Sequence, residues 1–389
     1  MNNVVVLPGG SWQKGIVKFL QGKGHKVHVV NPISNQTTKS ADGHIVADVE
    51  DLDKMLIEIK KLNPVFIVSD QSDIATFIVA VLNQRMGLPG NDPKVVETFR
   101  DKAVMQQFAS KIGMKTPVST VVRSFADLEG FSKNQPFPIV IKPVDATNSR
   151  GFRKALSTNE LKYCYKESIK YSRSKTLIAQ EFVKGTTQIT LDGACSNSFH
   201  CTLAASIKGP YFKPGLTSFV KYPCNIDKIL LAKIIEVNNN FVTRTGLNFG
   251  LTHAEYIVDG ENFWLIEIAA RGAGGGITDC ITGWVSGVCP YEILYSNLIG
   301  KPIDLSEVHL LKRSAILQFY HEDVMRNVPV DENIIRSIPG VAAFNYNFKK
   351  DQFVTDYYNP RHTSGIYIAE NDEELEAVIN KVNRAIFTS

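Results

Sequence analysis

Residues 250–271 hold the densest set of side chains suited to chemistry. Apolar and polar residues alternate there on either side of Asp259-Gly260-Glu261-Asn262, the pattern of a β-hairpin. Alternation puts His253, Glu255 and Ile257 on one face, and Leu265, Glu267, Ala269 and Arg271 on one face of the return strand. A two-residue loop at Asp259-Gly260 sends Glu255 and Glu267 to opposite faces. A three-residue loop, Gly260-Glu261-Asn262 with Asn262 left-handed, sets them directly across from each other with β-carbons about 5 Å apart. Carboxylates so placed repel unless a cation lies between them. Oxygen ligands on rigid strands suit Mg²⁺, which fills its remaining positions with water and phosphate oxygens, so a nucleotide is implied. A glutamate in an alternating strand usually faces solvent. Here Ile266 and Ile268 flank Glu267, and the small residues of 269–276 leave room for a ligand.

Two further groups are weaker singly. Pro138-Ile139-Val140-Ile141-Lys142-Pro143 is an apolar strand ending in one lysine, and the loop Asp145–Phe152 that follows is small and polar. Its backbone N–H groups could fold over phosphates. Residues 177–185 form an apolar strand interrupted by Gln180 and Glu181 before a turn at Gly185. Pro8-Gly9-Gly10 follows a strand but lacks GxGxxG, and a Gly-Gly turn there signals a tight bend first.

The elements that must position these groups are legible in outline. Strand 4–7, a turn, a helix capped by Ser11 and strand 25–30 read as β-α-β. A helix over 51–62, a strand at 65–68 and a helix over 74–86 repeat the pattern, so 1–92 forms a parallel α/β unit. Mixed α+β follows: a Pro93-led helix region with Lys102, strands near 120, 139–142 and 176–182, a helix over 159–171, and the hairpin. Beyond 301 come strand 314–320 and a closing helix over 372–387. The expected units are 1–92, 93–300 and 301–389, in keeping with a length of 389 residues, above the ~250 at which single cores stop growing.

Composition excludes several classes. Lys and Arg number 43 against 39 Asp and Glu, with no basic block, so neither nucleic acid nor an anionic membrane is an expected partner. No apolar run spans a bilayer and the first residues do not read as a signal peptide, so the cytoplasm is the expected compartment. Six cysteines without CxxC read as reduced, mostly buried thiols rather than a disulfide frame or zinc site.

The order of the groups is more specific than any one of them. Lys102, Val140-Ile141-Lys142-Pro143, Ser149-Arg150-Gly151, Gln180-Glu181-Phe182-Val183, His253-Ala254-Glu255 and Glu267-Ile268-Ala269-Ala270-Arg271-Gly272 follow one another as in the ATP-grasp superfamily. The chain resembles the branch of biotin carboxylase, carbamoyl-phosphate synthetase and the L-amino-acid ligases over nearly its whole length. The resemblance implies an ATP-grasp fold: an N-terminal parallel α/β (pre-ATP-grasp) domain, a nucleotide-binding domain and a small C-terminal α+β domain. It also implies ATP phosphates against Lys102, Lys142 and the loop at Ser149 and Gly151, and adenine against Gln180, Glu181 and Val183. Mg²⁺, or Mn²⁺ in its place, would sit on Glu255 and Glu267, and Arg271 would steady an acyl phosphate. The implied activity is an ADP-forming carboxylate–amine ligase with small-molecule substrates and a dipeptide-like or amino-acid-derived amide as product, monomeric or homodimeric. A bicarbonate-activating enzyme and a nucleotide-binding regulator without turnover are the alternatives. Two positions depart from the superfamily: Ala269 stands where Glu-x-Asn-x-Arg has its Asn, and Thr187 where a ribose-contacting Glu is usual.

Overall fold

Val4 and Val6 point to one side of the first strand, Val5 and Leu7 to the other, and all four are fully buried, as a parallel strand covered on both faces requires. The computed structural model describes residues 1–147, 149–213, 216–321, 325, 328, 330–346 and 363–387. In the first sheet all neighbours are parallel, in the order Gly43–Ile45, Lys26–Val30, Asn3–Val6, Ile67–Val68. Val4 and Val6 pack with Ile16, Val17 and Leu20 of helix Lys14–Gly22 and with Ile293 and Leu294 of helix Pro290–Leu298. Val5 and Leu7 meet Met55 and Ile59 of helix Leu52–Leu62, and Ala75, Val79 and Leu82 of helix Asp73–Met86. Ser11 does not cap the first helix. It opens a 3-10 turn, Ser11–Gln13, and no side chain bonds the helix N-terminus, because the Gln13 amide turns inward to Asp70 instead.

A four-stranded antiparallel sheet runs Ser119–Val122, Leu177–Glu181, Ile139–Pro143, Arg153–Ala155. Ile139, Ile141, Leu177 and Ala179 bury one face against helices Phe125–Ser132 and Leu161–Ile169 through Leu128, Leu161 and Cys164. Val140 and Lys142 pair with Gln180 and Ile178 on the other face.

The third sheet has eight antiparallel strands, in the order Asn262–Ala269, Gly250–Asp259, Thr187–Ser196, Phe199–Lys208, Phe219–Tyr222, Ser314–Tyr320, Thr363–Ala369, Val341–Asn345. It is continuous across residue 301. Ile189, Leu191, Ala254, Tyr256, Leu265 and Ile268 cover Ile234, Phe241 and Val242 of helix Lys228–Thr245, together with Phe99 and Met105. On the opposite face Thr190, Asp192, His253, Glu255 and Glu267 form a polar patch, while Ala194, Leu203 and Leu251 pack with the first unit.

The hairpin corrects one step of the sequence reading and keeps its result. Asp259 pairs with Asn262, so the loop is the two-residue Gly260-Glu261. Gly260 takes the positive φ, 57°, and Asn262 does not. Glycine in the first central position is what a two-residue hairpin turn uses. That register alone would oppose Glu255 to Ile266. A β-bulge between Glu255 and Tyr256 absorbs one extra residue of the return strand, so Glu255 pairs with Glu267 after all. The bulge also moves Leu265 off the face of Glu267: it pairs with Tyr256 in the core.

The six cysteines are unpaired, but only Cys164, Cys195 and Cys224 are buried, and Cys289 is exposed, so "mostly buried" holds for half of them. Burial pushes the Cys195 and Cys224 thiols up to about 12. No helix among the described residues is long and apolar enough to cross a membrane. Because Gly260 alone supplies the turn's positive φ, Gly260→Val is expected to destabilise the hairpin by roughly 1–3 kcal/mol, while Glu261→Val stays within about 0.5 kcal/mol. Urea midpoints of the two variants against wild type check this.

A candidate nucleotide and metal site between two sheets

The polar face of the large sheet is built by cross-strand pairing. His253 lies opposite both Asp192 and Ala269, Glu255 opposite Thr190 and Glu267. The two glutamates share a face, yet each already has a cation. Lys208, at the end of its strand, approaches Glu255 Oε1 at 2.8 Å, and Lys102, first residue of helix Lys102–Lys111, approaches Glu267 Oε1 at 3.2 Å. Gln188 Nε2 donates to Glu255 Oε2 at 2.9 Å, and Tyr211 donates its hydroxyl to Gln188. Burial alone would raise the Glu255 carboxyl, but Lys208 and His253 hold it well below the usual range. His253 Nδ1 donates to Asp192 Oδ1 at 2.7 Å, and Nε2 lies 3.7 Å from Glu255. Burial presses the imidazole down, yet Asp192 and Glu255 outweigh it and raise it to about 9.

Lys142 enters from the small sheet. Burial, and then Lys102, lower its ammonium to about 8 against the pull of Glu267 and Glu255. An ammonium so desolvated gains most from an added anion. Lys102 Nζ also donates to Ala146 O at 2.8 Å, and its backbone N–H to Val144 O at 3.1 Å, which ties the helix start to the polar loop. In that loop Ser149 (φ 55°) is exposed. Gly151 (φ 73°) is buried so closely on Pro143 that a Cβ would come within 2.8 Å of its ring. Asn148 lies outside the described residues.

Gln180 shares the Lys142 face, is buried, and its Nε2 has no partner. Gln106 Nε2 is unpartnered as well, while its oxygen takes the hydroxyl of Ser119, the residue paired with Gln180. Glu181 is committed elsewhere: its carboxylate accepts the Val118 N–H at 2.9 Å. Val183 is half-buried beside it. Arg271, past the end of the return strand, meets Asp73 of the first unit, Nε to Oδ2 at 2.9 Å. Burial opposes its charge, but Asp73 raises it further, and Glu267 and Glu255 add to this.

The structure thus gathers Lys102, Lys142, Glu255 and Glu267 at one place, with Gln180 on the facing sheet and Arg271 electrostatically coupled to both glutamates. The sequence reading missed Lys208, Gln188, Asp192 and Asp73. Lys208 carried the same signal as Lys142, a lysine ending an apolar strand before Gly-Pro. The others gain meaning only from strand register and from the approach of the first unit.

No family model matches the chain. It is 24% identical over 309 residues, 78% of each chain, to the formate-dependent phosphoribosylglycinamide formyltransferase of Wolinella succinogenes. Among solved structures it superposes on an L-amino acid ligase from Bacillus licheniformis with a TM-score of 0.79 at 18% identity, covering 99% of this chain and 98% of that one. A biotin carboxylase from Campylobacter jejuni gives 0.78 at 13%, covering 99% and 91%. These likenesses give the chain the ATP-grasp fold, the fold of the ligases of the ATP-grasp superfamily. ATP with Mg²⁺ is the cofactor pair of that superfamily's ligases, and this chain's donor set fits it. Facing carboxylates are hard-cation ligands, the surrounding lysines suit phosphate, and two buried amide donors lack acceptors. Among the described residues no group of three His, Cys, Asp or Glu could hold a metal by itself, as expected where phosphate oxygens complete the shell. Lys142→Ala should weaken ATP binding about tenfold or more, and the exposed Lys184→Ala no more than about twofold. Calorimetric titration decides it; equal affinities would remove Lys142 from the site.

Proposed function

We propose that the chain is an ADP-forming ATP-grasp ligase that joins a small carboxylate to an amine through an acyl phosphate. The observation that carries the reading is the facing pair Glu255 and Glu267 under Lys102, Lys142 and Lys208, a set in which the carboxylates suit a divalent cation and the ammonium groups suit the phosphates it accompanies. Glu255 and Glu267 hold Mg²⁺, which supplies charge neutralisation to the transferring phosphoryl group. Lys102, Lys142 and Lys208 take phosphate oxygens, and the turn at Ser149 and Gly151 offers backbone N–H groups above them. Gln180, Glu181 and Val183 border the adenine, with the Gln180 amide as donor. Arg271, fixed by Asp73, faces the acyl phosphate. These groups position and neutralise, which is most of what phosphoryl transfer asks of a protein. With units 1–92, 93–300 and 301–389, the acceptor substrates would lie between the first unit, near Gly9-Gly10 and Ser69–Asp73, and the last.

Ala269 fits a single-cation version of the site. It lies across from His253, whose imidazole turns to Asp192 and Glu255, so a cationic ring stands beside the place where an Asn ligand would reach. Support for a carboxylate acceptor comes from two similar proteins, an L-amino acid ligase and a formate-dependent formyltransferase, whose names both contain one.

The test is phosphate release against Mg²⁺ concentration, with pooled acids and amines, for three proteins. Wild type should turn over, Glu267→Gln should lose turnover, and Ala269→Asn should keep it with an equal or lower Mg²⁺ requirement. A wild type inert with every pool while Ala269→Asn hydrolyses ATP would replace the ligase by a degenerate nucleotide binder.

A further inference from the structure

Glu255, Glu267 and Asp73 each have a cation. A second group of acids, where the first unit meets the glycine-rich turn after Arg271, has none. Asp70 follows strand Ile67–Val68 and is 1% exposed. Its Oδ1 accepts Gln13 Nε2 at 3.3 Å, its Oδ2 Gln71 Nε2 at 2.9 Å and the Tyr291 hydroxyl at 3.2 Å. The same hydroxyl bonds Asp279 Oδ1, so two carboxylates share one phenol. Gly15 is required beside them, since a Cβ there would stand 2.3 Å from Asp279 Oδ1. Neither acid has an ion-pair partner among the described residues. Asp279 reaches solvent, and still its carboxyl is raised to about 7, by burial first and by Asp70 second.

A separate observation points to a ligand. Gln71 is 94% buried and turns its amide into this group, Nε2 donating to Asp70, to Trp12 O at 3.1 Å and to Tyr291 at 3.4 Å, which leaves Oε1 without a donor. Two carboxylates therefore share one phenol and one amide beside an unpartnered carbonyl, and among the described residues no ammonium or guanidinium pairs with either acid. The indole of Trp12, 47% exposed, lies on Gly274 so closely that a Cβ there would meet the ring at 1.9 Å, and this turn leads directly into the helical turn Ile277–Thr282 that carries Asp279. Gly272 N–H donates to Asp70 O at 2.7 Å, which sets the group one residue from Arg271.

We propose that Asp279, backed by Asp70, Tyr291 and Gln71 and flanked by the Trp12 ring, binds the amine substrate as a primary ammonium ion. The proposal rests on the ligase reading for the word substrate, but the site itself is one for a cationic amine. The ammonium donates to Asp279 and Gln71 Oε1, and an adjacent exposed indole face attracts the same charge. Its place beside Arg271 puts the nitrogen next to the group assigned to the acyl phosphate.

The experiment uses the full chain with ADP and Mg²⁺, L-phenylalaninamide as the cationic probe and N-acetyl-L-phenylalaninamide as its uncharged counterpart, both titrated by calorimetry. Wild type should bind the first and not the second. Asp279→Asn should weaken binding about tenfold or more, as loss of a charged hydrogen bond does. Trp12→Ala, which leaves both carboxylates in place, should weaken it several-fold and keeps the test decisive if Asp279→Asn does not fold. ATP affinity, titrated in parallel, should match wild type in both. No binding of the amine to wild type, equal binding of the acetylated probe, or unchanged affinity in the variants overturns the amine site. Failure of wild type to bind ATP would instead sink the ligase reading and leave the amine result standing.

Discussion

Two carboxylates directly across a strand pair repel, and the placement of charge in this protein answers that repulsion. Glu255 and Glu267 cannot separate, because their strands are pinned by the core residues Ala254, Tyr256, Leu265 and Ile268 on the other face. Compensation has to be brought to them. Lys208 arrives along the neighbouring part of the same sheet, His253 from two residues away on the same face, and Lys102 from a helix start that is itself tied to the loop of the small sheet. The closing of the two sheets on each other is thus written into the charge balance: without the small sheet's loop, Lys102 loses an anchor and Glu267 its cation. Under the ligase reading the same cations serve twice. Glu255 and Glu267 would hold a divalent cation, whose charge would neutralise them and leave Lys102 and Lys208 for phosphate oxygens close to their present positions.

The alternation that makes one face of each sheet apolar also makes the facing surfaces polar, and burial of the apolar faces sets how precisely the polar ones are held. A one-residue slip in strand Gly250–Asp259 would turn Ala254 and Tyr256 outward, with the Tyr256 hydroxyl leaving Asn238. The bulge is the exception that this logic needs. The turn chemistry favours Gly260 in a two-residue loop, whereas the site needs the other parity, and one extra residue at Ile266 reconciles the two.

This conflict shows where the sequence was legible and where it was not. The alternating pattern in 250–271, the Gly after a strand end and the lysine closing 139–142 are local, and strands Ser314–Tyr320 and helix Asp372–Phe387 fall where their periodicity puts them. The facing of Glu255 and Glu267 was reached by parity, through the wrong loop, because a bulge has no signature in one sequence when the bulged residue is an ordinary isoleucine. Ser11 looked like a helix cap, but the Gln13 amide goes to Asp70, 57 residues away in sequence, and a propensity says nothing about such a partner. Lys208 was readable by the rule applied to Lys142 and was passed over. Asp73 and Asp192 were not readable, since each matters through one long-range contact with Arg271 or His253.

Under the ligase reading, the Asp73–Arg271 pair would make the first unit part of the chemistry rather than a carrier of it. A guanidinium on the glycine-rich turn after Ala269 would otherwise have rotamers to lose each time a phosphate arrived, and long side chains pay up to about 2 kcal/mol for that. Asp73 stands in the first turn of helix Asp73–Met86, with Ser72 as the cap, so its carboxylate is fixed by the helix start. The Gly272 N–H bond to Asp70 O fixes the backbone next to the same arginine from the same loop. Bonded through Nε to Asp73 and through Nη1 to Gly272 O, Arg271 is held at two points of its guanidinium. Because both restraints come from the 70–73 segment, any movement of the first unit against the hairpin must move the arginine with it.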